Sequence, residues 1–285
     1  MRFKKFLAAI CAVGLLMTGC GSEQGGSNTK DPNSQETIIN LGMITRLNAT
    51  EKTMDEIYNK IFEETKLKFT PYKISYYDNL KTMQMGIESG IVDEISVYDS
   101  VANYLIANND KYVVVEEKSS NDLSDSFCFA IRKDDSALKA AIDKAIEEMK
   151  ADGTLDKLVK DYITDVDKEN PPAVEIPMTN GADTIKIGVT GDLPPLDYVS
   201  ADGKPAGFNT AILAEIAKRL GKNIEIIDID SGARAAALSS KQIDVIFWAI
   251  LPVNDNMPSY IDKPEGVELS MPYFRDNVTH LKLKK

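Results

Sequence analysis

The side chains that could do chemistry are few. Beyond residue 20 the chain has five arginines (Arg46, Arg132, Arg219, Arg234 and Arg275), one tryptophan, Trp248, and one histidine, His280. A single histidine cannot build a metal site or a nucleophilic triad with Cys11, Cys20 and Cys128, and neither a Gly-rich phosphate loop nor a nucleophile elbow occurs. No metal and no cofactor is therefore expected. These residues are better suited to holding a small molecule. A guanidinium forks a carboxylate, an indole stacks and donates one hydrogen bond, and a helix start offers free amides to an anion. Arg234 stands at the start of a short Ala-rich helix, and Arg46 with Asn48 and Thr50 marks another helix start. Trp248 and Ala249 close a strand, with Trp248 as a stacking ring. Asp192 and Asp197 flank a Pro194-Pro195 turn, where one could meet a cationic group.

The elements that position these residues are mostly legible. From Thr184 to Phe274 the pattern runs strand (Ile185–Val189), Pro-Pro turn, amphipathic helix ending at Leu220-Gly221, strand (Ile224–Ile229), helix (Ala233–Leu238) and strand (Ile243–Trp248). That is a parallel sheet covered by helices, which binds ligands at the carboxyl ends of its strands. Ile38 to Glu116 reads as a second α/β unit. In it Asn48-Ala-Thr-Glu51 has the spacing of a capping box with Asn48 as the cap. A strand at Ser126–Lys133 and helices at Ser136–Lys150 and Leu155–Ile163 follow, and Asp165–Asp183, rich in proline, is a linker.

The first residues are a separate matter. Arg2, Lys4 and Lys5 precede an apolar run, Phe6–Met17, too short to span a bilayer, so residues 1–19 read as a signal peptide. Met17-Thr-Gly-Cys20 resembles the bacterial lipobox, which implies cleavage before Cys20 and lipidation of its thiol. Residues 20–37 are a Gly/Ser/Asn-rich tether. Removing residues 1–19 takes away three positive charges, so the formal net charge goes from −11 to −14. A surface that acidic argues against nucleic acid as a partner. Cys128, inside an apolar strand, is expected to be a small buried residue, and no disulfide can form within the exported chain.

Several stretches then look familiar. Ile187-Gly-Val with Pro194-Pro195, Gly207-Phe208, Gln242-Ile-Asp-Val245 and Leu269-Ser-Met-Pro-Tyr-Phe274 resemble the first lobe of the extracellular solute-binding proteins, family 3, of amino-acid ABC transporters. Ala130-Ile-Arg-Lys-Asp134 and Lys150–Asp156 resemble the family's closing segment, and Met83–Asp93 with Asp99-Ser-Val-Ala102 its second lobe. The resemblance implies an α/β fold of the periplasmic-binding-protein-like II type: two three-layer lobes on a hinge of two crossover strands. The lobe order departs from the family's. It fits a circular permutant or a fragment of a tandem array, and permutation is the reading adopted. The second lobe would be residues 38–125 plus 276–285. The first would be 126–275, made of the closing segment 126–164, the linker 165–183 and the core 184–275.

The resemblance also implies a monomer, exported and lipid-anchored on the outer face of the bacterial cytoplasmic membrane, with no other membrane contact. Its partners would be a small polar solute, an amino acid or related compound, and an ABC permease. The family's amino-acid clamp is only partly kept. Leu193 stands at its aromatic position, no arginine lies between Trp248 and Phe274, and either Tyr98 or Asp99 stands at its aspartate. Arg234, Arg46 and Trp248 are the proposed replacements. The alternatives are an enzyme on the same fold, like cyclohexadienyl (prephenate) dehydratases or lytic transglycosylases, and a sensory ligand-binding module.

Overall fold

A computed structural model describes residues 38–65, 72–115, 123–167, 171–253 and 258–284, without the side chains of 61–65. The expectations for residues 1–19, for Cys20 and for the tether up to residue 37 lie outside the described residues. The chain runs β1 (Ile39–Ile44), α1 (Glu51–Thr65), β2 (Tyr72–Tyr77), α2 (Leu80–Glu88), β3 (Glu94–Tyr98), α3 (Asp99–Asn108), β4 (Tyr112–Val114), β5 (Ser124–Arg132), α4 (Ser136–Ala151) and α5 (Thr154–Val159). A π-helical turn over Lys160–Thr164 follows α5. Then come β6 (Thr184–Val189), β7 (Asp192–Leu193), β8 (Asp197–Val199), β9 (Pro205–Ala206), α6 (Phe208–Leu220), β10 (Asn223–Asp228), α7 (Arg234–Ser239), β11 (Val245–Pro252), β12 (Val267–Leu269) and β13 (Phe274–Leu283).

The strands follow the order β10-β6-β11-β5-β13-β3-β1-β2, with β12 on β5 and β4 on β13. One half holds β10, β6, β11, β5 and β12 (the first lobe below), and the other holds β1 to β4 (the second lobe). β13 belongs to both: Phe274–Asn277 pair with β5, and Val278–Leu281 pair with β3. β5 and β11 are apolar without alternation because both faces are covered. Phe127, Phe129, Ile131, Val245 and Phe247 enter the main core with α4 and α6, while Ala130, Ile246 and Ala249 enter a smaller cluster under α7.

Local signals explain the boundaries. Asp135 caps α4 through its carboxylate, which accepts the Leu138 amide at 3.1 Å. α6 can begin only after a glycine: Gly207 has φ +101°, and a Cβ there would lie 2.5 Å from the Leu196 carbonyl oxygen. Two expectations need correction, and one element is additional. The cap of α1 is Thr50, whose hydroxyl accepts the Thr53 amide at 3.2 Å, two residues beyond Asn48. β11 continues to Pro252, so Trp248 lies mid-strand rather than at its end. The three-stranded β7-β8-β9 sheet was not expected, because two-residue strands carry no periodicity.

Candidate functional site

The two lobes meet along a seam built from loop ends and helix starts. Across it the Ser231 amide donates to the Asp78 carbonyl at 3.1 Å. The Lys81 amide, in the first turn of α2, donates to Asp192 Oδ2 at 3.0 Å, so Asp192 sits where a helix start favours negative charge. Asp192 thus meets amides and not a cation. Its carboxyl is pushed up by burial, with the α2 amides pulling the other way. Asn48 donates its amide to the Ile261 carbonyl at 3.1 Å and its side-chain Nδ2 to the Tyr260 carbonyl at 2.9 Å.

Near the middle of the seam a narrow pocket is lined by Met43, Arg46, Tyr98, Leu193, Trp248 and Val278, among others. Arg46 stands 3.9 Å from Asp125 and its Nη1 reaches the Tyr98 hydroxyl at 3.5 Å, while that hydroxyl donates to Asp125 at 2.8 Å. Burial works against the Arg46 charge, but Tyr98, Asp125, Asp262 and Tyr58 more than offset it, and its pKa is raised. Trp248 stacks on Phe127 at 5.6 Å and takes the edge of Tyr98 at 5.9 Å. The Arg234 guanidinium lies 5.4 Å from the centre of the same ring. The indole is therefore not a free stacking surface. Its remaining resource is the ring N–H.

Arg234 is only 1 % exposed and donates to the Phe247 and Trp248 carbonyls at 3.3 and 3.1 Å. Burial lowers its pKa, with Asp262 and Asp197 acting to raise it. It makes no ion pair among the described residues. Its position reflects α7, whose first residue points back toward the β11 backbone, so it is a buried cation and not a surface cap.

Of the other expected residues, Leu193 lines the pocket and Thr50 stays with its helix. Asp99 accepts from Asn277 Nδ2 at 3.1 Å, which ties α3 to the crossing strand. Ala249 is turned into the cluster under α7, which also holds Leu47 of the second lobe, and it does not line the pocket. A β-bulge between Phe247 and Ala249 is the cause: it sends Phe247 and Trp248 to one face and Ala249 to the other. Asp197 is 2 % exposed and engaged by the Gly191 amide (2.8 Å), the Thr190 hydroxyl (3.2 Å) and Asn209 Nδ2 (3.3 Å), so it holds the turn instead of meeting a cation. Cys128 is buried as expected, and burial pushes its thiol up to about 12.

Two seam residues went unnoticed in the sequence. Asp125 lies at the start of β5, and Asp262 lies in the loop before β12, where its Oδ1 accepts the Leu47 amide at 2.8 Å and its Oδ2 the Ile250 amide at 3.0 Å. No periodicity or capping pattern marks either. The one available hint was that a Pro/Asn-rich loop stands where the family places its arginine.

Two α/β lobes meeting on an arginine- and aromatic-lined seam define a two-lobed binding fold. The model of the bacterial extracellular solute-binding proteins, family 3, matches residues 44–165 and 185–255, more than half of the chain, and the chain belongs to that family, with its type II periplasmic-binding fold. It is 30% identical over 101 residues to a protein named as a probable histidine-binding protein in Campylobacter jejuni, covering 35% of this chain and 36% of that one. It is also 30% identical over 73 residues to the arginine-binding extracellular protein ArtP of Bacillus subtilis, covering 26% of this chain and 28% of that one. The chain spans about a third of the length of these curated relatives. A solved ligand-binding component of an ABC-type import system from Staphylococcus aureus covers 86% of this chain and 66% of its own, at 11% identity and a TM-score of 0.42, which is too distant to bear on the site.

The buried Asp197 carboxyl gives a pH dependence. Burial pushes it from 3.8 up to about 6, against the opposing pull of the Gly191 amide. The folded state then holds this proton more tightly than the unfolded one, so the stability it contributes is present below about pH 4 and is lost as pH rises through about 6. In urea titrations the wild type should lose up to ~3 kcal/mol relative to Asp197→Asn between pH 4 and 7. Parallel pH profiles for the two proteins would refute the assignment.

Proposed function

We propose that this protein captures a small polar solute, an amino acid or a related compound, between its lobes and presents it to an ABC permease. One observation carries the reading. Arg46 Nε, Asp192 Oδ1, Arg234 Nε and Trp248 Nε1 are buried at or beside the seam without a protein partner, and they come from both lobes. A buried polar atom left unmade costs ~1–3 kcal/mol, and folded proteins keep few of them. Three donors and one acceptor facing a common seam are what a polar solute needs from a cleft that excludes water. The names of the similar proteins, which bind histidine and arginine, support an amino-acid-like solute.

The same reading places the protein outside the cell, anchored through a lipid on Cys20, since the spacing Met17-Thr-Gly-Cys20 follows a short apolar run. Among the described residues no helix is long and apolar enough to cross a membrane. In a membrane-partition assay the wild type should sediment with membranes, and Cys20→Ala should stay in the soluble fraction.

The lobe order is read as a circular permutation. Its support is that Leu281 of β13 and Gly42 of β1 both pair with Ile95, one on each side of β3, which puts the start of β1 and the end of β13 two strand spacings (~10 Å) apart at the same end of the lobe. A chain opened in the 165–183 linker, with Leu283 joined to Ile39 by a short linker, should therefore fold and melt like the parent. Loss of cooperative unfolding would count against the permutation.

The solute-binding reading is tested by a thermal-shift screen over amino acids, dicarboxylates, polyamines and aromatic acids. A solute at 100 times its Kd should stabilise the protein by ~2.7 kcal/mol. Trp248→Phe, which keeps an aromatic ring and removes the indole N–H, should weaken binding of that solute by ~1–3 kcal/mol in calorimetry. An unchanged affinity would remove Trp248 from the site, and a screen without a single shift would refute the reading.

A further inference from the structure

The most unusual polar group on the seam is a carboxylate. Asp262 is 1 % exposed, and its two oxygens accept one backbone amide from each lobe, Leu47 at 2.8 Å and Ile250 at 3.0 Å. The residues just before it add two more bonds to the second lobe, from Asn48 to the Tyr260 and Ile261 carbonyls. This one loop therefore accounts for three of the hydrogen bonds that hold the lobes together.

The carboxylate also acts electrostatically on two buried arginines. It is the strongest favourable charge acting on Arg234, and it adds to those acting on Arg46. Yet Asp262 makes no ion pair among the described residues, and both Arg46 Nε and Arg234 Nε are left without a partner. A carboxylate tethered to the main chain thus fills the amide niche without completing the guanidinium contacts. A free carboxylate is not tethered. It can accept the same two amides and turn toward a guanidinium, so it gains bonds that Asp262 forgoes. A ligand shifts an equilibrium only by such a difference.

We propose that Asp262 is a built-in stand-in for the solute: it latches the lobes together in the absence of solute, and a carboxylate-bearing solute binds by displacing it from the Leu47 and Ile250 amides. The proposal rests on the solute-binding reading above and names its solute class and its regulation. The latch is a competitor, so the affinity of the wild type for carboxylates is the intrinsic affinity reduced by the fraction of molecules in which Asp262 holds the niche.

The test compares wild type, Asp262→Ala and Asp262→Asn as full exported chains. Small-angle scattering without solute should show a larger radius of gyration for Asp262→Ala, and added acetate should restore compactness in that variant while leaving the wild type unchanged. Calorimetry with acetate, succinate, benzoate and L-glutamate should give a Kd at least ten-fold lower for Asp262→Ala than for wild type. Acetamide and benzamide should show no such gain. Asp262→Asn keeps one acceptor and should move the same way by less, and it carries the comparison if the alanine variant does not fold. A variant as compact as the wild type, carboxylate binding no tighter than wild type, or equal compaction by the amides would each overturn the proposal. If Asp262→Ala expands and acetate re-closes it while no panel solute binds either protein, the latch stands and the solute-binding reading fails.

Discussion

The two halves of this protein are joined through a short antiparallel ladder in which Phe274, Arg275, Asp276 and Asn277 of β13 face Phe127, Ser126, Asp125 and Ser124 of β5. One residue later β13 changes partner and pairs Val278 with Tyr98 of β3. Everything at the seam depends on this handover. Tyr98 and Asp125, which share a hydrogen bond of 2.8 Å, lie on the strands that flank it. Arg46 and Trp248 then meet Tyr98 from opposite lobes. A ladder this short leaves few bonds to resist bending, so the relative position of the lobes is set mainly by what lies between them.

What lies between them is polar and dry. Asp262 is 1 % exposed, and for Arg46, Arg234, Asp125 and Asp192 burial works against the charged form. The structure responds with unequal partnerships. Arg46 has Tyr98 and Asp125, whereas Arg234 has two carbonyls, a serine hydroxyl and an aromatic face. Carbonyls are weaker partners for a cation than a carboxylate is. That imbalance leaves Arg234 with its strongest favourable charge on a loop residue that is bonded elsewhere. It also explains why the wall does not collapse into a plain core, since replacing Arg234 would take a donor from the Phe247 and Trp248 carbonyls and replacing Arg46 would leave Asp125 with the Tyr98 hydroxyl but no counter-charge.

The fold was legible where periodicity and punctuation are strong. The β6-α6-β10-α7-β11 run, the α4 helix and the three parallel strands of the second lobe all follow from apolar spacing, caps and glycines such as Gly207 and Gly221. The site was legible only in part. Arg46 and Arg234 could be suspected from residue type at helix starts, Trp248 from its place late in a strand, and Leu193 from the family resemblance, and the structure does bring them to one seam. Their relations could not be read. The bulge that turns Trp248 and Ala249 to opposite faces depends on how β11 registers against β5, a contact between residues more than 110 positions apart. Asp262 reaches Leu47 across 215 positions from a loop without pattern. The spacing at Asn48 suits a helix cap, but Thr50 has the same chemistry two residues closer to α1, and Asn48 is drawn to the facing loop.

The absent arginine between Trp248 and Phe274 can now be given a physical meaning. An arginine there would add a third guanidinium to a seam that already buries Arg46 and Arg234, and like charges in so dry a setting repel strongly. The chain instead places a carboxylate in that stretch and supplies its cations from α7 and from the approach to α1. The sign at the centre is reversed on the loop and restored by its neighbours. On the proposal made above, the stretch that lacks the family's arginine is not a damaged clamp: its charge is shared between Arg46, Arg234 and the Asp262 carboxylate.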